Sequence, residues 1–575
     1  MTISTKIEKY KLRVINFCTI LVTFLSAQIF DGVILFTPMG ELGEESFTTY
    51  LLDQNSNVLN SWPHERGPAS MPYMLPDSSF IYPYRVENPT MTSGGVGGGI
   101  RRIKWDGTII WDYKIADDTY QHHHDVEPLP CGNILVIAWE RKTAAEAYEK
   151  GRVEINNVLN EMWSCAILEL NPFTGNIDWE WHLWDHLIQD VDSTLENFGI
   201  ISDHPELFDI NLGNVGNSGG DGPNADWIHL NSVDYNPELD QFVLSSRNHD
   251  EIFVFDHSTT VEEAAGHSGG NSGKGGDILY RWGKPQNYGR GEDSYHILGT
   301  QHGVNWVPVG YPGEGNIIIF NNRHQGGNTA TVIEISPPIE TDNNYFISEG
   351  DPFGPDTWAW IYDDDLVARI QGGVFRLPNG NTLITEADSS HIFEVDPSGN
   401  TVWDYRYSEG VPIPIARAQK YGYDYFEQNY EISLTIENDE KWNIVGLPVG
   451  IENNDVNDLF PNALSGTCYE YDESYSLAYS LVPGNGYWLR FSEEGSNSLE
   501  GVPIDSLSVF LSEGWNLISG PAYTCEIDDP NGIVILGTLY GYSGQYFNAS
   551  ELQAGMGYWV RANGDGYIVL KARDD

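Results

Sequence analysis

Apolar and polar residues alternate over short runs in this chain, and few long stretches repeat at the period of an α-helix. The clearest alternating run covers residues 226–233. A turn-forming cluster, residues 236–240, joins it to a second β-rich run that ends at Ser245-Ser246-Arg247. We predict a β-hairpin in which His229 and Asn231 share one face and Arg247 lies across from them. A histidine, an amide and a guanidinium grouped at one end of a hairpin resemble an anion-binding site.

Composition favours an all-β fold. Aromatic residues make up 13% of the 575 residues, and 60 glycines accompany them, as expected for many short strands and tight turns. The best helical candidate is the stretch 143–160, which we interpret as an insertion. The length exceeds that of a usual single domain, so we predict at least two domains.

One unit recurs along the first three quarters of the chain: a strand, a turn often written Leu-Pro-x-Gly-Asn, a second strand, and a third that ends in a Gly turn and a Trp. It is clearest at residues 371–405 and 124–181. Weaker copies begin near four residues: Ile34, Met71, His229 and His302. These units predict a six-bladed β-propeller over residues 28–432, with an array of sandwiches as the alternative.

The repeats also predict where function lies. The start of each blade's innermost strand and the end of its second strand meet at one rim of the central channel. The residues at these places are His124 with Arg141, His229 with Arg247, His302 with Arg323, and Gln371 with Glu386. Three consecutive blades therefore offer a histidine and an arginine at equivalent positions.

The pattern changes beyond residue 440. Trp442-Asn443-Ile444-Val445 and Trp515-Asn516-Leu517-Ile518 lie 73 residues apart, and the Gly-x-Gly-Tyr-Trp-x-Arg segments 484–490 and 555–561 lie 71 apart. This spacing indicates a tandem duplication. We interpret residues 440–575 as a small duplicated β domain that serves as an accessory or surface-attachment module.

Residues 1–27 read as a signal peptide, because four basic residues precede an apolar run and Ser26-Ala27 forms a plausible cleavage site. An uncleaved membrane anchor is the alternative. Cleavage changes the formal net charge from −53 to −56, because four basic groups and one acidic group are lost. We therefore expect a periplasmic or secreted protein that has no membrane span after cleavage and no nucleic-acid partner.

Four cysteines remain after cleavage, and an even number in an exported chain permits disulfides. The pairing most consistent with the domains is Cys131 with Cys165 and Cys468 with Cys525. Their spacing does not resemble a zinc site.

Several motifs resemble the bacterial arylsulfate sulfotransferases over most of residues 30–430. They are Gln121-His122-His123-His124-Asp125 with the following Leu-Pro-x-Gly-Asn turn, the Asp-Trp-Ile-His-x-Asn-Ser-Val run at 226–233, Ser245-Ser246-Arg247, and Gln301-His302. Some members of that family carry an N-terminal β-sandwich that this chain has no room for, so the oligomeric state stays open. The duplicated module lies outside the family core.

The resemblance implies a six-bladed propeller with its active site in the channel. It implies transfer of a sulfuryl group from a phenolic sulfate ester to a phenol, without a nucleotide sulfate donor, through a transiently sulfated histidine and ping-pong kinetics. By this resemblance His302 is the nucleophile. His229, Asn231, Arg247 and one histidine of the 122–124 run hold the sulfuryl oxygens.

The residue types suit this chemistry. Sulfuryl transfer needs an in-line nucleophile and positive groups around the equatorial oxygens, as phosphoryl transfer does. Neutral imidazole is a competent nucleophile, the arginine fork fits an oxyanion, and asparagine is a neutral donor. We expect no cofactor and no metal.

Three questions stay open from the sequence. His123 and His124 are both candidates for the third histidine, because strand alternation does not decide between them. Arg323 is either a substrate contact or part of a surface salt bridge. A propeller that only binds a ligand or partner, or an enzyme with a metal held by histidines, would also account for the clustered histidines.

Overall fold

The computed structural model describes residues 28–40, 47–216, 222–408, 410–428, 430–451 and 453–572. The predicted signal peptide, residues 1–27, lies outside this part of the chain. Strands far outnumber helices among the described residues, which confirms the all-β prediction. None of the helices found there has the length and apolar character needed to span a bilayer.

Most strands of residues 32–422 are short, as the sequence pattern predicts. In chain order they are β1 (Gly32–Pro38), β2 (Phe47–Leu52), β3 (Val58–His64), β4 (Tyr73–Met74), β5 (Phe80–Arg85), β6 (Gly98–Ile103), β7 (Ile109–Lys114), β8 (Tyr120–Pro128), β9 (Ile134–Thr143), β10 (Glu161–Asn171), β11 (Asn176–His182), β12 (Leu187–Ile188), β13 (Phe208–Asp209), β14 (Leu230–Asn236), β15 (Gln241–Ser246), β16 (Glu251–Asp256), β17 (Tyr280–Trp282), β18 (His302–Trp306), β19 (Ile317–Asn321), β20 (Thr331–Ile335), β21 (Trp360–Tyr362), β22 (Gly373–Arg376), β23 (Thr382–Glu386), β24 (His391–Val395), β25 (Thr401–Arg406) and β26 (Ile415–Gly422).

These strands form six four-stranded antiparallel sheets and one short parallel pair, β12 with β13. The sheets are β26-β1-β2-β3, β4–β7, β8–β11, β14–β17, β18–β21 and β22–β25. Each predicted repeat corresponds to one sheet. The strands β15, β16, β19, β23 and β24 are buried along their whole length, because neighbouring sheets pack face to face. This arrangement confirms an all-β, propeller-like architecture.

The first sheet joins the two ends of the ring. Strand β26 pairs antiparallel with β1, and Ile34 lies opposite Lys420. The ammonium group of Lys420 lies 2.7 Å from the Glu394 carboxylate of the sixth sheet, and both side chains are fully buried. Glu394 also accepts a hydrogen bond from the Asn381 amide. The closing strand is therefore held by the backbone of β1 and by the neighbouring sheet.

Helices are few and short in the described chain. They are α1 (Ala144–Glu149), α2 (Val261–Ala264) and α3 (Val456–Leu459), together with 3₁₀ turns at Leu183–Asp185, Ile201–Asp203, Pro285–Tyr288, Asp293–Tyr295, His324–Gly326, Ala387–Ser389 and Tyr423–Glu427. The prediction of a helix over 143–160 was too long. Thr143 and Glu146 form a capping box at its start, and Gly151, with φ of 90°, turns the chain just beyond its end.

The C-terminal part is a separate set of strands. They are β27 (Ile432–Asn438), β28 (Lys441–Val445), β29 (Val449–Gly450), β30 (Tyr469–Asp472), β31 (Ser474–Leu477), β32 (Tyr487–Phe491), β33 (Gly495–Pro503), β34 (Ser506–Leu511), β35 (Gly514–Ser519), β36 (Cys525–Asp528), β37 (Tyr540–Ser543), β38 (Gln545–Asn548), β39 (Gly557–Ala562) and β40 (Gly566–Ala572).

The two halves of this module are built alike. Strand β28 pairs with β32 in the first half, and β35 pairs with β39 in the second. The guanidinium of Arg490 lies 5.9 Å from the Trp442 ring, and that of Arg561 lies 6.0 Å from the Trp515 ring. The module also contacts the ring of sheets through a buried hydrogen bond from Arg102 to the Tyr523 hydroxyl.

The predicted disulfides were wrong, because all four described cysteines are free. Cys165 lies inside β10 opposite Trp139, whereas Cys131 lies in the turn beyond Ile134. The two are thus more than five strand residues apart, or roughly 17 Å, which no disulfide spans. Cys468 and Cys525 belong to two different hydrophobic clusters.

Candidate active site

Three neighbouring innermost strands are interrupted by a β-bulge at the same rim. The register shifts between His122 and Val126 in β8, between Leu230 and Ser232 in β14, and between His302 and Asn305 in β18. A bulge inserts an unpaired residue and re-aims the side chains around it. The simple alternation assumed for the hairpin at 226–233 therefore does not hold at its first residues.

Two histidines at these bulges adopt left-handed backbone conformations. The φ angle is 55° at His124 and 53° at His229. Non-glycine residues in this region are strained and are concentrated at functional sites. Their rings meet edge to face with centroids 4.7 Å apart, although the two residues come from different sheets. The bulges thus bring the two imidazoles together.

His229 is oriented by a buried carboxylate. Its Nδ1 contacts Asp226, whose other oxygen accepts a hydrogen bond from the Trp139 indole at 3.1 Å. Burial opposes ionisation of Asp226, yet the charge of His229 and its hydrogen bond hold the Asp226 pKa below its ordinary value. Nδ1 of His229 consequently carries a proton, and Nε2 is the atom left for chemistry.

The structure distinguishes between the two candidate histidines of β8. His124 faces His229, as described above. The His123 ring instead stacks on Trp139 with centroids 4.1 Å apart, and its Nδ1 lies 2.8 Å from Nδ1 of His124. His124 therefore lies at the cluster, and His123 lies behind it as a support.

His302 has one defined tautomer. The Asn322 amide nitrogen donates to the carbonyls of Ala368 and Gln371, at 3.0 and 2.7 Å, so the amide oxygen must face the ring. That oxygen accepts a hydrogen bond from Nδ1 of His302 at 2.7 Å. Nε2 therefore carries the lone pair, with only a long contact of 3.4 Å from the Gln371 N–H.

His302 is also neutral. Burial lowers its pKa to about 3, against the hydrogen bond to Asn322, and the positive charges of Arg247 and His229 lower it further. His302 in turn lowers the pKa of His124 electrostatically. All three predicted imidazoles thus lie within electrostatic reach of one another, and His302 presents an unprotonated nitrogen at neutral pH.

Two guanidinium groups lie beside the histidines. Arg247 follows β15, and its backbone N–H donates to the His229 carbonyl at 3.1 Å, as the predicted hairpin requires. Burial lowers the pKa of Arg247, and the nearby charge of Arg323 lowers it further. Arg323 itself is exposed. The nearby Asp226 and Asp250 carboxylates are engaged by His229 and by Lys284. Two neighbouring guanidiniums with this environment favour an anion.

Asn231 mainly links two neighbouring sheets by a hydrogen bond. Its amide nitrogen donates to the Gln301 carbonyl at 2.7 Å, which fixes the chain just before His302. One of its two N–H groups is used by this bond. The second N–H is the donor available for an oxyanion.

Arg417 is part of this region and was missed from the sequence. It comes from the closing strand β26 and forms a buried ion pair with Asp125, the residue after His124. Its guanidinium also donates to the Tyr73 hydroxyl at 3.2 Å. A Cβ atom at Gly373 would lie 2.4 Å from the Arg417 side chain, so only glycine fits there. This pair holds the β8 bulge in place.

The structure therefore brings together His124, His229, His302, Arg247 and Asn231, and it places Arg323 at the exposed edge. Sequence reasoning missed Asp226, Asn322 and Arg417. Asp226 carried a usable signal, since it opens the Asp-Trp-Ile-His run three residues before His229. The described residues that could jointly hold a metal ion are His186, His267 and Asp277, which are not among these channel residues.

Comparison with known proteins agrees with this geometry. Residues 81–345 match the family model described as arylsulfotransferase (ASST). This segment is similar to the arylsulfotransferase family. The match includes the three bulged strands, with their histidines and both arginines. It supports a sulfotransferase activity in general.

No curated protein matches the sequence. Solved structures that it resembles include a protein of unknown function from Bacteroides caccae, with 11% identity and a TM-score of 0.35 over 68% of this chain and 98% of that chain. A periplasmic gluconolactonase from Pseudomonas aeruginosa has 11% identity and a TM-score of 0.30 over 68% and 98%. The Dos1 propeller has 8% and 0.26 over 66% and 73%. These scores carry no argument about function.

Buried neutral histidines make stability depend on pH. Burial lowers the pKa of His122, His249 and His302 to about 3, from an ordinary value of 6.5. Between these values the unfolded chain binds protons that the folded chain does not, so the free energy of unfolding falls as pH falls through this window. Well above pH 6.5, the ordinary histidine pKa, these three histidines no longer reduce the free energy of unfolding.

His249 gives a direct test, because neither ring nitrogen has a hydrogen-bond partner among the described residues. We expect His249→Leu to flatten the pH dependence of the unfolding free energy by about 1.4 kcal/mol per pH unit below pH 6. Urea denaturation between pH 5 and pH 7 measures this slope, in steps of about 0.5 units. The control His204→Leu, at a half-exposed position, should leave it unchanged. An unchanged slope in His249→Leu would contradict the assignment.

Proposed function

We propose that this protein is an aryl-sulfate sulfotransferase that works through a sulfohistidine at His302. The observation that carries the proposal is the neutral, tautomerically fixed imidazole of His302 beside the Arg247 guanidinium. The arylsulfotransferase model that matches residues 81–345 supports sulfuryl transfer in general. The substrates would be small phenolic sulfates and phenols, and no nucleotide donor is required.

In the first half-reaction, Nε2 of His302 attacks the sulfur of the aryl sulfate. The N–S bond forms as the bond from sulfur to the phenolic oxygen breaks. The leaving phenolate takes the proton held on Nε2 of His229, whose imidazolium Asp226 stabilises. Arg247 holds the equatorial oxygens with a planar charged fork. His124 and the free N–H of Asn231 complete this contact.

In the second half-reaction, the acceptor phenol replaces the first product. Neutral His229 removes its proton, and the resulting phenolate attacks sulfur. The N–S bond then breaks, and His302 returns to its neutral form. Protons and charges balance over the two halves, since His229 first gives one proton and then regains one. This sequence gives ping-pong kinetics.

The exposed position of Arg323 suits a contact with the entering substrate rather than with the transferred group. We place the reaction in the periplasm or outside the cell, because residues 1–27 have the pattern of a signal peptide.

A donor–acceptor assay tests the proposal. With p-nitrophenyl sulfate as donor, we expect nitrophenol release to accelerate strongly when phenol is added, because the second half-reaction requires an acceptor. Acceptor-independent release would indicate a sulfatase, and no release would indicate a binding protein. Peptide mapping should find the sulfuryl group on His302. The variant His302→Asn should lose both label and turnover, whereas His204→Asn should keep both. Label on another histidine would overturn the assignment.

The two arginines should differ in importance. Removal of one donor to a transition-state oxyanion costs about 10²–10³-fold in kcat, so we expect this loss in Arg247→Ala with the fold intact. Arg323→Ala, at the exposed edge, should lose less than about 10-fold and mainly through KM. Steady-state kinetics with circular dichroism as the folding control separates these outcomes. Near wild-type turnover in Arg247→Ala would remove that residue from the site.

Asn322 should act as a positioning residue. We expect Asn322→Leu to lower kcat by about 10–100-fold, because His302 then loses its fixed tautomer. The matched control is Asn321→Leu, since Asn321 also makes two buried backbone hydrogen bonds but none to His302.

A third variant gives a readout that a purely structural role would not produce. In Asn322→Asp the new carboxylate favours the imidazolium, so the pKa of His302 should rise. The acid limb of the kcat/KM profile should therefore move to higher pH. An unmoved acid limb would exclude contact of residue 322 with the nucleophile.

A further inference from the structure

A second cluster of ionisable side chains lies outside the channel, where two long connections meet. One connection runs from β11 to β14, and the other runs from β16 to β17. They are held together by a hydrogen bond from the Ile278 N–H to the Glu206 carbonyl at 3.0 Å. His186 lies in the first connection, and His267 and Asp277 lie in the second. The reaction proposed above does not use any of the three.

His186 has an unusual set of partners. Its ring is fully buried and stacks parallel to Trp181. Nε2 lies 2.9 Å from the Ala264 carbonyl oxygen, and Nδ1 lies 2.8 Å from Oδ1 of Asp277. A carbonyl only accepts hydrogen bonds, so Nε2 must carry a proton. In neutral imidazole Nδ1 is then bare, and its lone pair faces a carboxylate oxygen.

Two facing acceptors require a proton or a metal ion between them. A third side chain reaches the same point, because Nδ1 of His267 also lies 2.8 Å from Oδ1 of Asp277. The three ligand atoms all lie within 4.8 Å of one another. Ligand atoms around one zinc ion, with bonds of about 2.1 Å, are separated by about 3.4 Å.

We propose that His186, His267 and Asp277 bind a divalent transition-metal ion such as zinc. Two imidazole nitrogens and one carboxylate form a donor set that zinc accepts and that calcium or magnesium does not favour. The hydrogen bond from Nε2 of His186 to a backbone carbonyl is the outer contact that metal-bound histidines usually make. His267 is largely exposed, so water fills the remaining position.

The metal ion would cross-link the two long connections. Binding displaces a proton held between Nδ1 of His186 and Asp277, so each metal ion bound releases up to one proton. The three ligands are brought together only in the folded chain. The metal ion therefore stabilises the folded state and raises the melting temperature. The proposal does not depend on the sulfuryl-transfer reaction, and its tests do not use that activity.

The test uses the full chain, stripped with a chelator, incubated with zinc sulfate and passed through a desalting column. We expect one zinc per chain by mass spectrometry of the metal, and a rise in Tm on the order of 2 °C. The variant His267→Ala should lose both effects without unfolding, since its side chain is exposed. The control His204→Ala removes another partly exposed histidine, one paired with Glu206, and should retain both effects.

Each outcome decides the proposal. Zinc retained by the wild type and by His204→Ala but lost from His267→Ala supports it. Failure of the wild type to retain zinc overturns it and leaves an ordinary histidine–aspartate ion pair. Equal retention by His267→Ala also overturns it, because zinc would then be bound elsewhere on the acidic surface.

Discussion

The pairing of β26 with β1 is the constraint on which the rest of the structure depends. It converts a linear series of sheets into a closed ring, so that innermost strands distant in sequence face a common centre. The same strand also brings Arg417 to Asp125, next to the bulge that carries His124. Closure and site assembly are thus two results of one strand. A change that weakens this pairing would act on the geometry of the histidines as well as on stability.

The sheets were predictable from the sequence because each repeat carries its own local signals. Within each repeat, a few dozen residues contain all of these signals: the Leu-Pro-x-Gly-Asn turn, the Gly turn and the terminal Trp. Each repeat matched one four-stranded sheet. The closing strand was not predictable in this way, since it pairs with residues nearly four hundred positions earlier. The disulfide prediction failed for a related reason, because a count of cysteines contains no information about distance.

The candidate site was predictable in its residue types and only partly in its geometry. The equivalent places in three repeats identified His124, His229, His302 and Arg247. Strand alternation could not decide between His123 and His124, because a bulge at that point removes the alternation on which such reasoning depends. Asp226 and Asn322 were missed because each acts through one specific hydrogen bond, and the sequence pattern records periodicity rather than contacts.

The two central histidines have partners of different charge. Asp226 is an anion, and it accepts the Nδ1 proton of His229. Asn322 is neutral, and its hydrogen bond raises the pKa of His302 by less than burial lowers it, so the ring stays unprotonated. A weakly basic imidazole is also a good leaving group, so a sulfuryl group held there would remain ready for transfer. In the proposed reaction, one side-chain atom, oxygen in Asp226 and nitrogen in Asn322, thus distinguishes the histidine that transfers protons from the histidine that carries the sulfuryl group.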